Sequence, residues 1–340
     1  QWTIFVDLQP GANWEHDCCI VYVPRTADNQ FDLENIAPLR ENLKYPPADN
    51  MVHLSAPGTG SEITEPSQPV EEGEGNSSEF EANVDIQPDM SAASRTHAII
   101  LSGGINKNSN NIRYWNDCSF IYKTLTERYA IPKNQIYPIL ADGDDPSEDT
   151  RLLNNTYKSQ DLDLDEDGVD EISMSASKSN IEQTLTGLLA KLKQGDHLFL
   201  YVIDHGGTNG NDQSYICLWN GENLQDYELA EMLRPFSEKG VKINVVLGQC
   251  YSGGFIDDLT MEGCVVATAS RGDESSWSRS TGIHDEFVYQ WTCAINGLDY
   301  YGKSVKYNPD TNNDGYISME ETFNYAKAND KYHVERDKEH

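Results

Sequence analysis

The chain has 340 residues, with 56 Asp and Glu against 25 Lys and Arg and a formal net charge of −31. Such a surface repels phosphate backbones, which argues against nucleic-acid binding, and it suits a solvated protein that gathers divalent cations. A hydrophobic share of 38% is enough for a sizeable core, and no apolar run approaches the roughly 20 residues of a membrane span.

Residues 1–45 alternate apolar stretches, WTIFVDL and CCIVYV, with polar turns. Two strands and a short helix around Leu33 to Leu43 are expected there, in a segment of unknown role. Residues 46–94 are rich in Pro, Gly, Ser, Glu and Asn and contain no Lys or Arg. They cannot bury enough surface to offset chain entropy and read as an acidic disordered linker. From residue 95 to 300 the pattern is α/β. HAIILSGG, IYPILADG, HLFLYVIDHGG, VKINVVLGQC and CVVATAS read as five strands. WNDCSFIYKTLTERY, SNIEQTLTGLLAKLKQG and HDEFVYQWTCAIN read as helices, the second stopped by Gly195. This alternation predicts a mostly parallel sheet flanked by helices on both faces.

Seven cysteines are present, an odd count that leaves at least one thiol unpaired, and none is spaced as CxxC, which argues against a zinc ribbon. Cys118, Cys217, Cys264 and Cys293 lie in strand- or helix-like runs and read as packing residues. Cys250 is different. It ends the run INVVL and is followed by Tyr-Ser-Gly-Gly. His205 likewise ends LFLYVI and is followed by Gly206 and Gly207. Reactive groups of open α/β sheets gather at the carboxyl ends of strands. A thiol needs a nearby base to become a nucleophile, and glycines let main-chain N–H groups approach an acyl oxyanion. The pair therefore reads as nucleophile and base, with the Gly206 N–H as an oxyanion donor.

The order of these motifs resembles the caspase-like fold, and their detail resembles the legumain family of asparaginyl endopeptidases. THAIILSGG (96–104), NIRYWNDC (111–118), IPKNQIY (131–137), DHGG (204–207), QCYSGGF (249–255), ATAS (267–270) and ESSW (274–277) stand in that family's order. The resemblance implies a cysteine endopeptidase acting on a peptide or protein substrate through a thioester. It implies Asn111 as the third catalytic residue, orienting His205, and Arg113, Ser276 and Asp285 as lining of the P1 pocket. An Arg, a Ser and an Asp suit a side-chain amide, so Asn or another polar residue is expected at P1. The family carries an acidic residue two positions before its nucleophile, where this chain has Gly248. A transpeptidase or ligase of the same fold, and a non-catalytic calcium-dependent binding module, are the alternative readings.

Two segments carry calcium-loop spacing. Asp310, Asn312, Asp314, the carbonyl of Tyr316, Ser318 and Glu321 fill positions 1, 3, 5, 7, 9 and 12 of an EF-hand loop, with Gly315 at the turn and a helix, ETFNYAKAN, after it within 301–340. An Asp-rich loop inserted at 161–172 begins the same way, with Asp163, Asp165, Asp167 and the carbonyl of Val169, and Asp170 or Glu171 as the bidentate ligand. Two structural calcium ions are expected, with no cofactor for catalysis. Calcium loops point outside the cytosol, to a secreted, periplasmic or cell-surface protein.

Overall fold

Alternating and continuous apolar runs set the strands of this protein. Its structure, a computed structural model, describes residues 2–7, 18–23, 90–210 and 213–331. The chain divides into two units, one formed by residues 1–12 and 16–82 and the other by 13–15 and 83–340. In the first, β1 (Trp2–Asp7) and β2 (Cys18–Val23) pair antiparallel, Trp2 opposite Val23. The expected helix around 33–43 lies outside the described residues, as does the linker except for its last five positions. Those five belong to α1 (Met90–Arg95), a short helix that leads directly into β3 (Thr96–Ser102).

The second unit continues with α2 (Ile112–Lys123), which a π-helical turn extends to Arg128, and with β4 (Ile136–Leu140). A hairpin of β5 (Glu148–Arg151) and β6 (Tyr157–Ser159) precedes α3 (Lys178–Lys191) and β7 (His197–Val202). Three short antiparallel strands follow, β8 (Gly206–Thr208), β9 (Ser214–Cys217) and β10 (Asn223–Gln225). They lead into α4 (Asp226–Glu238), β11 (Lys242–Leu247), β12 (Cys264–Thr268), α5 (Glu286–Asn296) and α6 (Met319–Asn329). The sequence reading did not mark α4. A capping box of Gln225 and Glu228 starts it, and Leu229, Leu233 and Phe236 form its buried stripe despite Pro235.

The five expected strands form one parallel sheet in the order β12-β11-β7-β3-β4. Alternation along β7 explains why both faces are covered. Leu198, Leu200 and Val202 join a core with Leu185 and Leu188 of α3 and Leu229 and Leu233 of α4. Phe199 and Tyr201 join the opposite core with Ile121 of α2 and Trp291 of α5. Each such buried side chain contributes about 2 kcal/mol of transfer free energy. Ile317, Met319 and Ala326 enter that second core, so α6 packs with the sheet domain.

Candidate active site

Strand order reverses between β3 and β7: the chain runs outward from β3 to β4, then returns to the other side of β3. Crevices for ligands lie at such switch points, outside the carboxyl ends of the strands. The residues following β3, β7 and β11 bear Asn111, His205 and Cys250.

His205 is held by its neighbour Asp204. The buried Asp204 carboxylate accepts the N–H groups of Gly103, Gly104 (2.8 Å) and His205 (2.6 Å), tying the end of β7 to the end of β3. Burial pushes this carboxyl up to about 8, against those three donors. The His205 imidazole meets the edge of Tyr114, with ring centroids 5.4 Å apart at 83°. Burial, then the charge of Arg113, holds its pKa below the ordinary histidine value, so the imidazole is neutral and able to take a proton.

Gly206 places the two reactive loops together. A β-carbon there would collide with the Cys250 carbonyl and the Gln249 side chain. Its N–H direction follows from the ladder. Cys217 N donates to His205 O at 3.0 Å, so the facing pair Gly206 and Ile216 is the non-hydrogen-bonded kind. The Gly206 N–H therefore points away from β9, and β8 is the edge strand of its sheet.

Cys250 is half-buried and free. Its Sγ lies 3.6 Å from Ser276 Oγ and 3.7 Å from Ser276 O. Tyr251 takes the left-handed conformation with φ 59°, and its N–H donates to Glu274 O at 2.8 Å. The hydroxyls of Ser252 and Ser270, 3.2 Å apart, pin this turn to the segment after β12.

Arg113 and Asp285 are an ion pair, Nε to Oδ2 at 2.9 Å. Burial pushes the Asp285 carboxyl up to about 7, with Arg113 opposing. Asp285 is moored by Asp117, whose buried carboxylate accepts the Asp285 N–H at 2.9 Å and meets His284 Nδ1 at 2.8 Å. Neither Asp117 nor His284 stood out in sequence as part of the site. At Gly248, a β-carbon would meet Val288 Cγ1, Ile203 Cδ1 and Val202 O. Apolar packing thus fills the space that a carboxylate would need. The neighbouring Gln249 packs its Cβ and Cγ against Gly206, and its amide is fully buried.

Asn111 departs from expectation in its bonding. Its amide donates to Ser109 O at 2.8 Å. Among the described residues no hydrogen bond joins Asn111 to His205, and Ser109, which receives the amide, was not singled out in the sequence.

Of the Asp-rich loop, Asp163, Asp165, Asp167 and Glu171 each bring a carboxylate oxygen within 4.8 Å of the others. Val169 and Asp170 are exposed, and the Asp170 carboxylate is not part of this group. Lys133 Nζ sits 2.7, 2.8 and 3.2 Å from Asp165, Asp167 and Glu171. Against a desolvation cost, those carboxylates hold the ammonium above its ordinary pKa. In the second loop, Asp310 accepts the N–H groups of Asp314 (3.2 Å) and Gly315 (3.0 Å), and Asp314 accepts that of Tyr316 (2.8 Å). Gly315, at φ 88°, makes the turn. Glu321 accepts from Thr311 N at 2.8 Å and Ser318 N at 3.0 Å, closing the loop while capping α6.

A parallel sheet of this order, with a thiol and an imidazole at its carboxyl ends, has the architecture of a caspase-like cysteine peptidase. The profile of the peptidase C13 family, the legumain family, matches residues 97–334, and the chain belongs to that family of cysteine peptidases. Its substrates are accordingly peptides or proteins. No curated protein sequence is detectably similar. Among solved structures, a protein of Geobacter sulfurreducens is similar at 14% identity over 60% of this chain and 83% of that one, with a TM-score of 0.38. No helix among the described residues is long and apolar enough to cross a membrane.

Proposed function

We propose that the protein is an endopeptidase in which Cys250 is the nucleophile and His205 the general base. The observation that carries this reading is the packing of Gly206 against the Cys250 carbonyl, which sets both loops in one crevice. His205 takes the thiol proton as Sγ attacks the scissile carbonyl carbon. The Gly206 N–H donates to the oxyanion. The tetrahedral intermediate expels the amine, which leaves with the proton returned by His205. Water, deprotonated by the same imidazole, then cleaves the thioester and releases the acid.

Arg113, Asp285 and Ser276 form the P1 pocket in this proposal, with Arg113 donating to a side-chain oxygen and Asp285 accepting from its nitrogen. Because Val288 and Ile203 fill the space beside Gly248, the pocket holds one carboxylate and takes Asn or another polar P1 residue. A peptide-library cleavage profile read by mass spectrometry tests this. Dominance of Lys, Arg or a large apolar residue at P1 would remove the pocket assignment.

We also propose calcium at both acidic loops, as structural ions. The clustering of Asp163, Asp165, Asp167 and Glu171, and the turn built on Asp310, Asp314 and Gly315, support it. Calcium loops of this kind fit a secreted, periplasmic or cell-surface protein, the location we propose.

A further inference from the structure

We propose that Tyr114 is a positioning residue that couples the P1 pocket to the general base, an inference that rests on the catalytic reading of Cys250 and His205. Tyr114 lies in the first turn of α2 and is 1% exposed. Its hydroxyl accepts from Arg113 Nη2 at 2.7 Å, and the guanidinium carbon lies 4.4 Å from its ring centroid. The edge-to-face contact with His205 comes from the same ring. One rigid side chain thus touches the pocket cation and the general base.

The two contacts do different work. Arg113 is fixed at two points, Nε on Asp285 and Nη2 on Tyr114, so the plane of its guanidinium is set before substrate arrives. Without the hydroxyl, the guanidinium pivots about the single bond to Asp285 and its aim at a P1 side chain loosens. The ring instead limits where the imidazole can sit. It is packed in the core and cannot swing aside, so it holds the imidazole whether or not the hydroxyl is present. The hydroxyl accordingly governs P1 recognition, and the ring governs the alignment of base and thiol.

The test uses the full chain with Tyr114→Phe and Tyr114→Leu, and Cys250→Ala as the control for the catalytic reading. Two quantities separate the roles: kcat and KM on a fluorogenic peptide carrying the preferred P1 residue, and the pH profile of Cys250 alkylation by iodoacetamide, which has no P1 side chain. Alkylation of Cys250→Ala supplies the background from other thiols. Loss of a hydrogen bond to a charged group predicts about a tenfold fall in kcat/KM for Tyr114→Phe, carried mainly by KM, with an alkylation profile that overlays wild type. Tyr114→Leu is expected to lower kcat as well and to displace the alkylation profile. A wild-type kcat/KM in Tyr114→Phe would overturn the proposal. So would a displaced alkylation profile in that variant, or an equal loss in both assays that tracks a lowered Tm. Turnover that survives in Cys250→Ala strikes instead at the catalytic reading itself.

Discussion

Gly206 rests so closely on the main-chain carbonyl of Cys250 that no β-carbon fits between them. This contact locks the end of β7 to the end of β11 and fixes the separation of imidazole and thiol. Gly206→Ala must push the two loops apart and re-aim the N–H that faces β8's open edge. Its kcat/KM is expected to fall by about 100-fold or more, the scale for loss of an oxyanion donor, while circular dichroism stays native. Steady-state kinetics on the purified variant check this; a loss under threefold would show that the contact is dispensable.

Stability should fall as pH rises from mildly acidic to alkaline. Burial raises the folded-state pKa of Asp285 to about 7 and of Asp204 to about 8, and burial with the neighbouring Asp149 raises Asp142 to about 8. Each titrates near the ordinary carboxylate value of 3.8 when unfolded. Between those limits the folded chain binds more protons than the unfolded chain. The contribution is therefore full below about pH 4 and lost as pH climbs toward 8. Melting curves at fixed ionic strength and calcium should give a higher Tm at pH 5.5 than at pH 8. The opposite order would show that these carboxylates are ionised at no cost in the fold.

The acid limb of activity should lie below the ordinary histidine range. Burial and Arg113 depress the His205 pKa, so protonation of the base sets in at lower pH than for a free histidine. Removing the charge with Arg113→Gln should shift the limb of the alkylation profile upward, toward the free-histidine value. An unchanged limb would mean that Arg113 exerts no field on the imidazole.

Calcium and Lys133 should compete for one cluster. The ammonium already contacts Asp165, Asp167 and Glu171, offsetting their repulsion. Lys133→Met leaves those charges to the ion alone, so the difference in Tm between calcium and chelator should widen beyond wild type. Glu321→Ala should narrow it by removing the closing carboxylate of the second loop. At a hundredfold excess over its dissociation constant, a bound ion adds about 2.7 kcal/mol. A melting curve indifferent to chelator in all three proteins would exclude calcium from both loops.

The sheet was legible in sequence because its five strands are apolar runs buried on both faces, and the placement of His205 and Cys250 beyond the ends of β7 and β11 was legible because each follows such a run. The calcium-loop spacing was legible because ligand positions are local. Other parts left no local signal. Asn111 bonds to the main-chain carbonyl of Ser109, and a carbonyl is present whatever the residue type. Asp117 and His284 are 167 residues apart in sequence, so their pairing belongs to the packing of α2 on α5. Lys133 lies outside the loop it neutralises. The filled space beside Gly248 depends on Val288 and Ile203, from two other elements.

The central claim concerns one sulfur atom. The direct measurement is intact and peptide-level mass spectrometry after incubation with a chloromethyl ketone peptide bearing Asn at P1, with hydrolysis of the matching fluorogenic peptide followed in parallel. Wild type should gain one adduct on Cys250 as activity falls in step, and Cys250→Ala should gain none and hydrolyse nothing. Hydrolysis by Cys250→Ala at the wild-type rate, or inactivation by an adduct on another residue, would contradict the account.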